Sequence, residues 1–341
     1  MNTELCLAAL AAATVLSACP ALAADECPPL KVMASVDMVP GKNGRVLVPM
    51  NVAGRQVYFV LATAVPMTSI NSGLADELGL PREHSSIKFV GLSGEVSDTL
   101  ATLPTFGIGR LKAESVRLLV TDSHGSNPAP GVVAPSGALG ADFLRAYDVD
   151  LDFGANKLNL ISRDHCAGNV VYWKSERLAK LPMLVMDNDK ITFTMNLDGH
   201  DLQTVLNTAV PMSTINMRIA KDLYDVDNDS AGNNMEGKLG DGTSLYSHVF
   251  KTLSVEGLAI GNPRIVLMPN RAEEAIDNMR HGWRGPLLKP AGQQQPEFVL
   301  GMAELRHLHV YIDYHNQTIY FSPAVKGGDF PTAASAPNAA P

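Results

Sequence analysis

Val60-Leu61-Ala62-Thr63-Ala64-Val65-Pro66-Met67-Thr68-Ser69-Ile70-Asn71 returns later in the chain as Val205-Leu206-Asn207-Thr208-Ala209-Val210-Pro211-Met212-Ser213-Thr214-Ile215-Asn216. Nine of the twelve positions are identical, two exchange Thr and Ser, and Ala62 against Asn207 is the one unlike pair. A repeat of this length and period marks a duplicated domain, not a short-repeat solenoid. Each copy is followed by a second matching stretch. The first reads Ala138-Leu139-Gly140-Ala141-Asp142-Phe143-Leu144-Arg145, then Val149-Asp150-Leu151-Asp152-Phe153; the second reads Val299-Leu300-Gly301-Met302-Ala303-Glu304-Leu305-Arg306, then Val310-Tyr311-Ile312-Asp313-Tyr314. In both, an apolar-apolar-Gly step opens a short helical pattern that gives way to a strand ending in Asp and an aromatic.

Each half therefore orders its parts as a strand hairpin, an apolar strand entering a Thr-centred turn, a short helix, a Gly-containing hairpin and the Leu-Gly-helix-strand ending. This resembles the retropepsin-like aspartic proteases, with two domains fused in one chain. The resemblance covers about residues 45 to 160 and 190 to 322. It implies a mostly β protein of two retropepsin/pepsin-like β-barrel domains with short helices, related by a pseudo-twofold axis and facing each other across a cleft. In that family the turn reads Asp-Thr-Gly, and the two aspartates form the catalytic pair. This chain has Ala62-Thr63-Ala64 and Asn207-Thr208-Ala209 instead. The resemblance also implies that Thr63 and Thr208 hydrogen-bond across the axis and that Ala64 and Ala209 complete the cleft scaffold.

Aspartic-protease chemistry needs two carboxylates close enough to share one proton, one serving as base toward a water and the other as acid. Ala62 has no ionisable atom, and the neutral amide of Asn207 cannot take up and return a proton near neutral pH. No catalytic residue is therefore expected at either turn. A threonine nucleophile would need an adjacent base, and none lies near Thr63 or Thr208 in sequence. Asn207, a buried-looking amide, is expected either to hydrogen-bond a bound peptide or to be satisfied by its own turn. The expected function is that of an inactive relative of the proteases that binds an extended peptide or a protein partner in the cleft. The alternatives are an active endopeptidase using other groups and a structural partner in the cell envelope.

Residues 1–23 form an apolar, Ala-rich run ending Ala21-Leu22-Ala23, the pattern of a secretory signal peptide and its cleavage site. Leu16-Ser17-Ala18-Cys19 also fits a lipoprotein signal in which Cys19 is acylated, so both soluble export to the periplasm or beyond and a lipid anchor at Cys19 stay open. Cleavage after Ala23 leaves Cys27 and Cys166, which an oxidising compartment would allow to pair, against the alternative of two free thiols. The expected organisation is an N-terminal domain at 24–161, a packed linker at 162–182, a C-terminal domain at 183–323 and a disordered Ala/Pro-rich tail at 324–341.

In the first domain, runs at Val36 to Val39 and Val46 to Val52 flank Gly41-Lys42-Asn43-Gly44 as a hairpin, and Ser72 to Leu80 reads as a short helix stopped at Gly79-Pro81. Two Gly-bearing hairpins, with Gly91 and Gly94 in the first half and Gly240 and Gly242 in the second, occupy the place of the family's flap, or are plain surface hairpins. Asp142, Asp152 and Asp313 are expected to be structural. His307 and His309 face one side if extended but lack a third ligand, so no metal site and no cofactor is expected. A formal charge of −8 offers no basic stripe for nucleic acid. Two halves already supply both walls of a cleft, so a monomer is expected.

Overall fold

The computed structural model describes residues 28–90, 96–122, 133–187, 189–239, 242–269 and 296–325. Residues 1–27, with Cys19 and Cys27, the hairpin glycines Gly91, Gly94 and Gly240, and all residues beyond Val325 lie outside them. The described chain is mostly β and forms three sheets: one in each half and one shared between them.

The two halves repeat one plan. Val46–Val52 pairs antiparallel with Arg55–Leu61, and Ile191–Leu197 with His200–Leu206. The tight turns between them carry Ala53-Gly54 and Asp198-Gly199, all four at positive φ, the backbone that a two-residue hairpin of this twist demands. Alternate residues Val46, Val48, Met50 and Val52 in the first half, and Ile191, Phe193, Met195 and Leu197 in the second, enter the core. That inward alternation is the period-2 pattern of a sheet with one buried face.

Beyond the hairpin the chain turns at 62–68 or 207–213 and enters a short strand, Ser69–Asn71 or Thr214–Asn216. A distant strand then inserts between the two. Gly137–Leu139 lies parallel to Phe59–Leu61 and antiparallel to Ser69–Ile70; Phe298–Leu300 does the same with Thr204–Leu206 and Thr214–Ile215. Helices Ser72–Glu77 and Met217–Tyr224 follow the short strands. The first ends one turn earlier than the apolar spacing through Leu80 suggests, with Gly79 at φ +59 breaking it.

The shared sheet has six strands in the order Val32–Asp37, Lys157–Ile161, Asp148–Asp152, Leu308–Asp313, Thr318–Pro323 and Ala179–Pro182. Its central antiparallel pair joins the halves, with Val149 opposite Ile312 and Leu151 opposite Val310. Two readings of the sequence are corrected here. The run at Val36 to Val39 does not hairpin as one strand onto Val46–Val52: only Val39–Pro40 does, while Val32–Asp37 crosses to Lys157–Ile161. Alternation identifies a half-buried strand but carries no information about its partner. The segment 162–182 is likewise more than a connection, since Ala179–Pro182 closes one edge of the shared sheet. Val170 packs with Ile161, Tyr311 and Tyr320 on one face of that sheet, joined by Val171 and Trp173.

Candidate functional site: the paired turns

Each turn is hung from the strand inserted beside it. The Ala62 amide donates to Leu139 O at 3.0 Å and the Asn207 amide to Leu300 O at 3.0 Å. The first helical amides after the glycines reach back, Ala141 N to Val65 O at 2.8 Å and Met302 N to Val210 O at 3.0 Å. Gly140 and Gly301 make this possible. A Cβ on either would stand 2.6 Å from the carbonyl carbon of Met67 or Met212, closer than two carbons can approach. The repeated glycine is thus a requirement for backbone contact, not for flexibility.

A side-chain clasp reinforces each crossing. Thr68 Oγ1 donates to Asp142 Oδ1 at 2.6 Å and accepts from Gly140 N at 3.0 Å. Its counterpart Ser213 Oγ hydrogen-bonds Glu304 Oε2 and accepts from Gly301 N at 2.9 Å. Asp142 and Glu304 are therefore structural acids that serve the same clasp from neighbouring positions of the repeat, Asp142 aligning with Ala303 and Phe143 with Glu304. Glu304 is buried, which raises its pKa above the ordinary carboxylate value even though Ser213 holds the ionised form. An acid that is harder to ionise when folded leaves its full stability in place below its unfolded pKa of about 4.3 and withdraws it as pH rises through the folded value. Glu304→Gln is expected to flatten this part of the pH–stability curve, whose slope reaches at most about 1.4 kcal/mol per pH unit. Urea midpoints from about pH 4 to 8 check it.

The two turns meet through their threonines. Thr63 N donates to Thr208 Oγ1 at 3.2 Å, and Thr208 N to Thr63 Oγ1 at 3.1 Å. The hydroxyls donate onward, Thr63 Oγ1 to Leu206 O at 3.0 Å and Thr208 Oγ1 to Leu61 O at 2.7 Å. Both threonines are fully buried. Four bonds, two in each direction, thus tie one half to the other.

Around this lock the surroundings are apolar. Ala62 and Ala209, one from each turn, belong to a single cluster with Leu47, Val60, Val65 and Ala138. Ala62 is 0% exposed, and Ala64 is also buried. Asn207 differs from its expected burial and is half-exposed; its Oδ1 accepts from Ala209 N at 2.9 Å. Arg45, in the 3-10 bend before Val46, crosses between the halves and donates from Nε to Ala209 O at 3.2 Å. Partial burial lowers its pKa below the usual guanidinium value. Among the residues of the two turns, 62–68 and 207–213, there is no titratable side chain.

Of the flap residues, only Gly242 is described. It closes a turn at φ +87, its amide donating to Leu239 O at 2.9 Å. The strands of the two hairpins, Arg82–Val90 with Val96–Ile108 and Asn234–Lys238 with Ser244–Val249, put Arg82–Val90 and Asn234–Lys238 at the outer edges of the two lobe sheets. A cavity of about 450 Å³ lies in the first half and is lined by residues that include Arg82, Lys88, Asp98 and Asp122. None of its lining residues belongs to the turns.

The remaining candidates fall on the shared sheet. Asp152 accepts from Ala155 N at 2.9 Å, and the fully buried Asp313 accepts from Asn316 N at 2.8 Å. His309 faces Asp150 and stacks on Trp173 with ring centroids 4.1 Å apart. His307 is not in that strand, which begins at Leu308. Sequence reasoning missed Asp148, Asp150 and His165, which the sheet and the linker gather into the same buried layer.

The family described as Aspartyl protease matches residues 48–143. No curated protein matches the sequence. Among solved structures, the chain is similar to basic 7S globulin from soybean at 9% identity and a TM-score of 0.48, covering 86% of this chain and 95% of that one. Conglutin gamma, a basic 7S globulin from lupine seeds, gives 10% and 0.45 with coverages of 86% and 95%, and the aspartic proteinase from Irpex lacteus 12% and 0.48 with coverages of 87% and 98%. The repeated strand insertion, the paired Thr turns and the family match over the first half together give this chain an aspartic-protease-like fold.

Proposed function

We propose that this is an exported, catalytically inactive aspartic-protease-like protein that holds an extended peptide between its two halves. The observation that carries the reading is the lock of Thr63 with Thr208 beside an Ala62 and Ala209 packed in one apolar cluster. The backbone device that would present two acids is kept, while the positions of the acids hold a methyl group and an amide. General acid–base catalysis of peptide hydrolysis has no proton carrier in these turns. Among the described strands, Arg82–Val90 and Asn234–Lys238 stand at the outer edges of the two lobe sheets, the place where an extended peptide adds as a further strand. Export fits the leader at 1–23, and an oxidising compartment would let Cys27 pair with Cys166. The same two-half construction favours a monomer.

The purified mature protein is expected to leave an unfolded protein substrate intact from about pH 3 to about pH 8. It is also expected to retain peptides from an unstructured library, with photo-crosslinks mapping to the strands 82–90 and 234–238. Cleavage that is lost on Thr63→Val would overturn the inactive reading, and retention of no peptide would overturn the binding one.

A further inference from the structure

The shared sheet presents a buried polar layer that the paired turns do not use. On one face stand Asp148, Asp150, Tyr311, Asp313 and Tyr320, and the segment from Cys166 to Trp173 covers them. Asp148, Asp150 and Asp313 are each 0% exposed. His165, just before Cys166, is buried with its Nε2 against Asp148 Oδ2 and its Nδ1 donating to Cys166 O at 3.2 Å.

We infer that Asp148, His165 and Asp313 form a divalent transition-metal site, with zinc the best fit, that clamps the two halves and the linker together. One oxygen from each carboxylate and one nitrogen from His165 lie within 4.8 Å of one another. An ion at about 2.1 Å from each ligand in a tetrahedron sets its ligands about 3.4 Å apart, so the widest ligand pair has to close by at most roughly 1.5 Å while His165 and Asp148, now in hydrogen-bond contact, part by about 1 Å. Two carboxylates and an imidazole suit zinc and its first-row neighbours, whereas magnesium and calcium take oxygen ligands.

The hydrogen bonds point the same way. Because Cys166 O can only accept, His165 Nδ1 carries a proton, which leaves Nε2 of the neutral ring as a lone pair aimed at a carboxylate oxygen. Two acceptors in contact need a proton, on the ring or on the carboxyl, or a metal between them. A backbone carbonyl fixing the far nitrogen is the usual outer partner of a metal-bound histidine. Charge separates the two options. A protonated His165 offsets one of the two buried carboxylates, and the described ion pairs give Asp148 no other cationic partner. Buried charges are paired or metal-bound, and a divalent ion neutralises both.

A further group is left over at this place. The Tyr320 hydroxyl is buried without a hydrogen-bond partner, in a residue only 2% exposed. Tyr320 stands opposite Tyr311 across the strand pair, and the Tyr311 hydroxyl donates to Asp148 Oδ2 at 3.3 Å. By register, Tyr320 shares its face of the sheet with Asp148 and Asp313. It is positioned to hold a water that completes the coordination of the ion.

Asp148 belongs to the first half, Asp313 to the second and His165 to the segment between them, so the ion would act as a clasp. The test uses the full-length mature protein without a tag, stripped with a chelator and then reloaded with zinc or cobalt alone. The expected result is about one equivalent of bound metal and a Tm raised by about 5 °C at a hundredfold excess over Kd. Cobalt should show the absorption of a four-coordinate ion with oxygen and nitrogen donors and no thiolate charge-transfer band. His165→Ala and Asp313→Asn should each lose the bound metal and the Tm response. Since these variants could fail to fold, X-ray absorption of the cobalt-loaded wild type must also show scattering from a single imidazole. Absence of stoichiometric uptake, full uptake by both variants, or a spectrum without imidazole would each overturn the site and leave His165 and Asp148 as an ion pair.

Discussion

Thr208→Val is expected to cost about 4 kcal/mol of folding stability, a large part of the roughly 5–15 kcal/mol that native proteins possess. Valine matches threonine in shape, so the change removes hydrogen bonds and little packing. Thr63 N loses its acceptor and Leu61 O loses its donor, both in a fully buried setting. Each orphaned backbone group carries about 1–3 kcal/mol of uncompensated desolvation. Thr208→Ser keeps the hydroxyl and should lose only about 1 kcal/mol, the value of one buried methyl group. Urea unfolding of the three proteins provides the measurement. A Thr208→Val protein within about 1 kcal/mol of the wild type would show that the turns are not held by this exchange.

Ala62→Asp carries the second large effect, and its size depends on pH. Position 62 is 0% exposed in an apolar cluster with Ala209. A carboxyl placed there ionises with difficulty, so its folded pKa lies above the unfolded value of about 3.9. Below that value only the steric cost of the larger side chain remains. As pH rises through the folded pKa the penalty grows and then levels off, reaching about 3–5 kcal/mol at neutral pH. Adding Asn207→Asp, with Ala64→Gly and Ala209→Gly, gives the first acid a neighbour with which to share a proton. That variant is expected to recover part of the loss at acidic pH and to gain cleavage of an unfolded substrate there. Equal stability of Ala62→Asp at about pH 4 and pH 8 would show that position 62 is open to water.

Much of the turn scaffold was legible in the sequence because steric demands fix its residues. Gly140 and Gly301 sit where a Cβ would overlap Met67 or Met212, and Thr63 and Thr208 each meet the other turn through both backbone and hydroxyl. Such positions tolerate few residues, and so the two copies still resemble each other. The destination of Val32–Asp37 was not legible, since its alternation suits any sheet with one wet face. The grouping of Asp148 and His165 with Asp313 escaped for another reason. They come from three segments that only the shared sheet brings together, and no spacing along the chain announces them. The half-exposure of Asn207 was equally out of reach, because a turn's sequence does not say how far its neighbours close over it.

The shared sheet also sets a timetable for biosynthesis. Its middle strand Asp148–Asp152 can pair on one side with Lys157–Ile161 as soon as that hairpin is made, but its other side must wait for Leu308–Asp313. Until most of the chain has been synthesised, the first half carries a raw strand edge, the kind of surface on which nascent chains stick to one another. Closure of such distant pairings is slow, so protection during that interval must come from outside the half-made molecule.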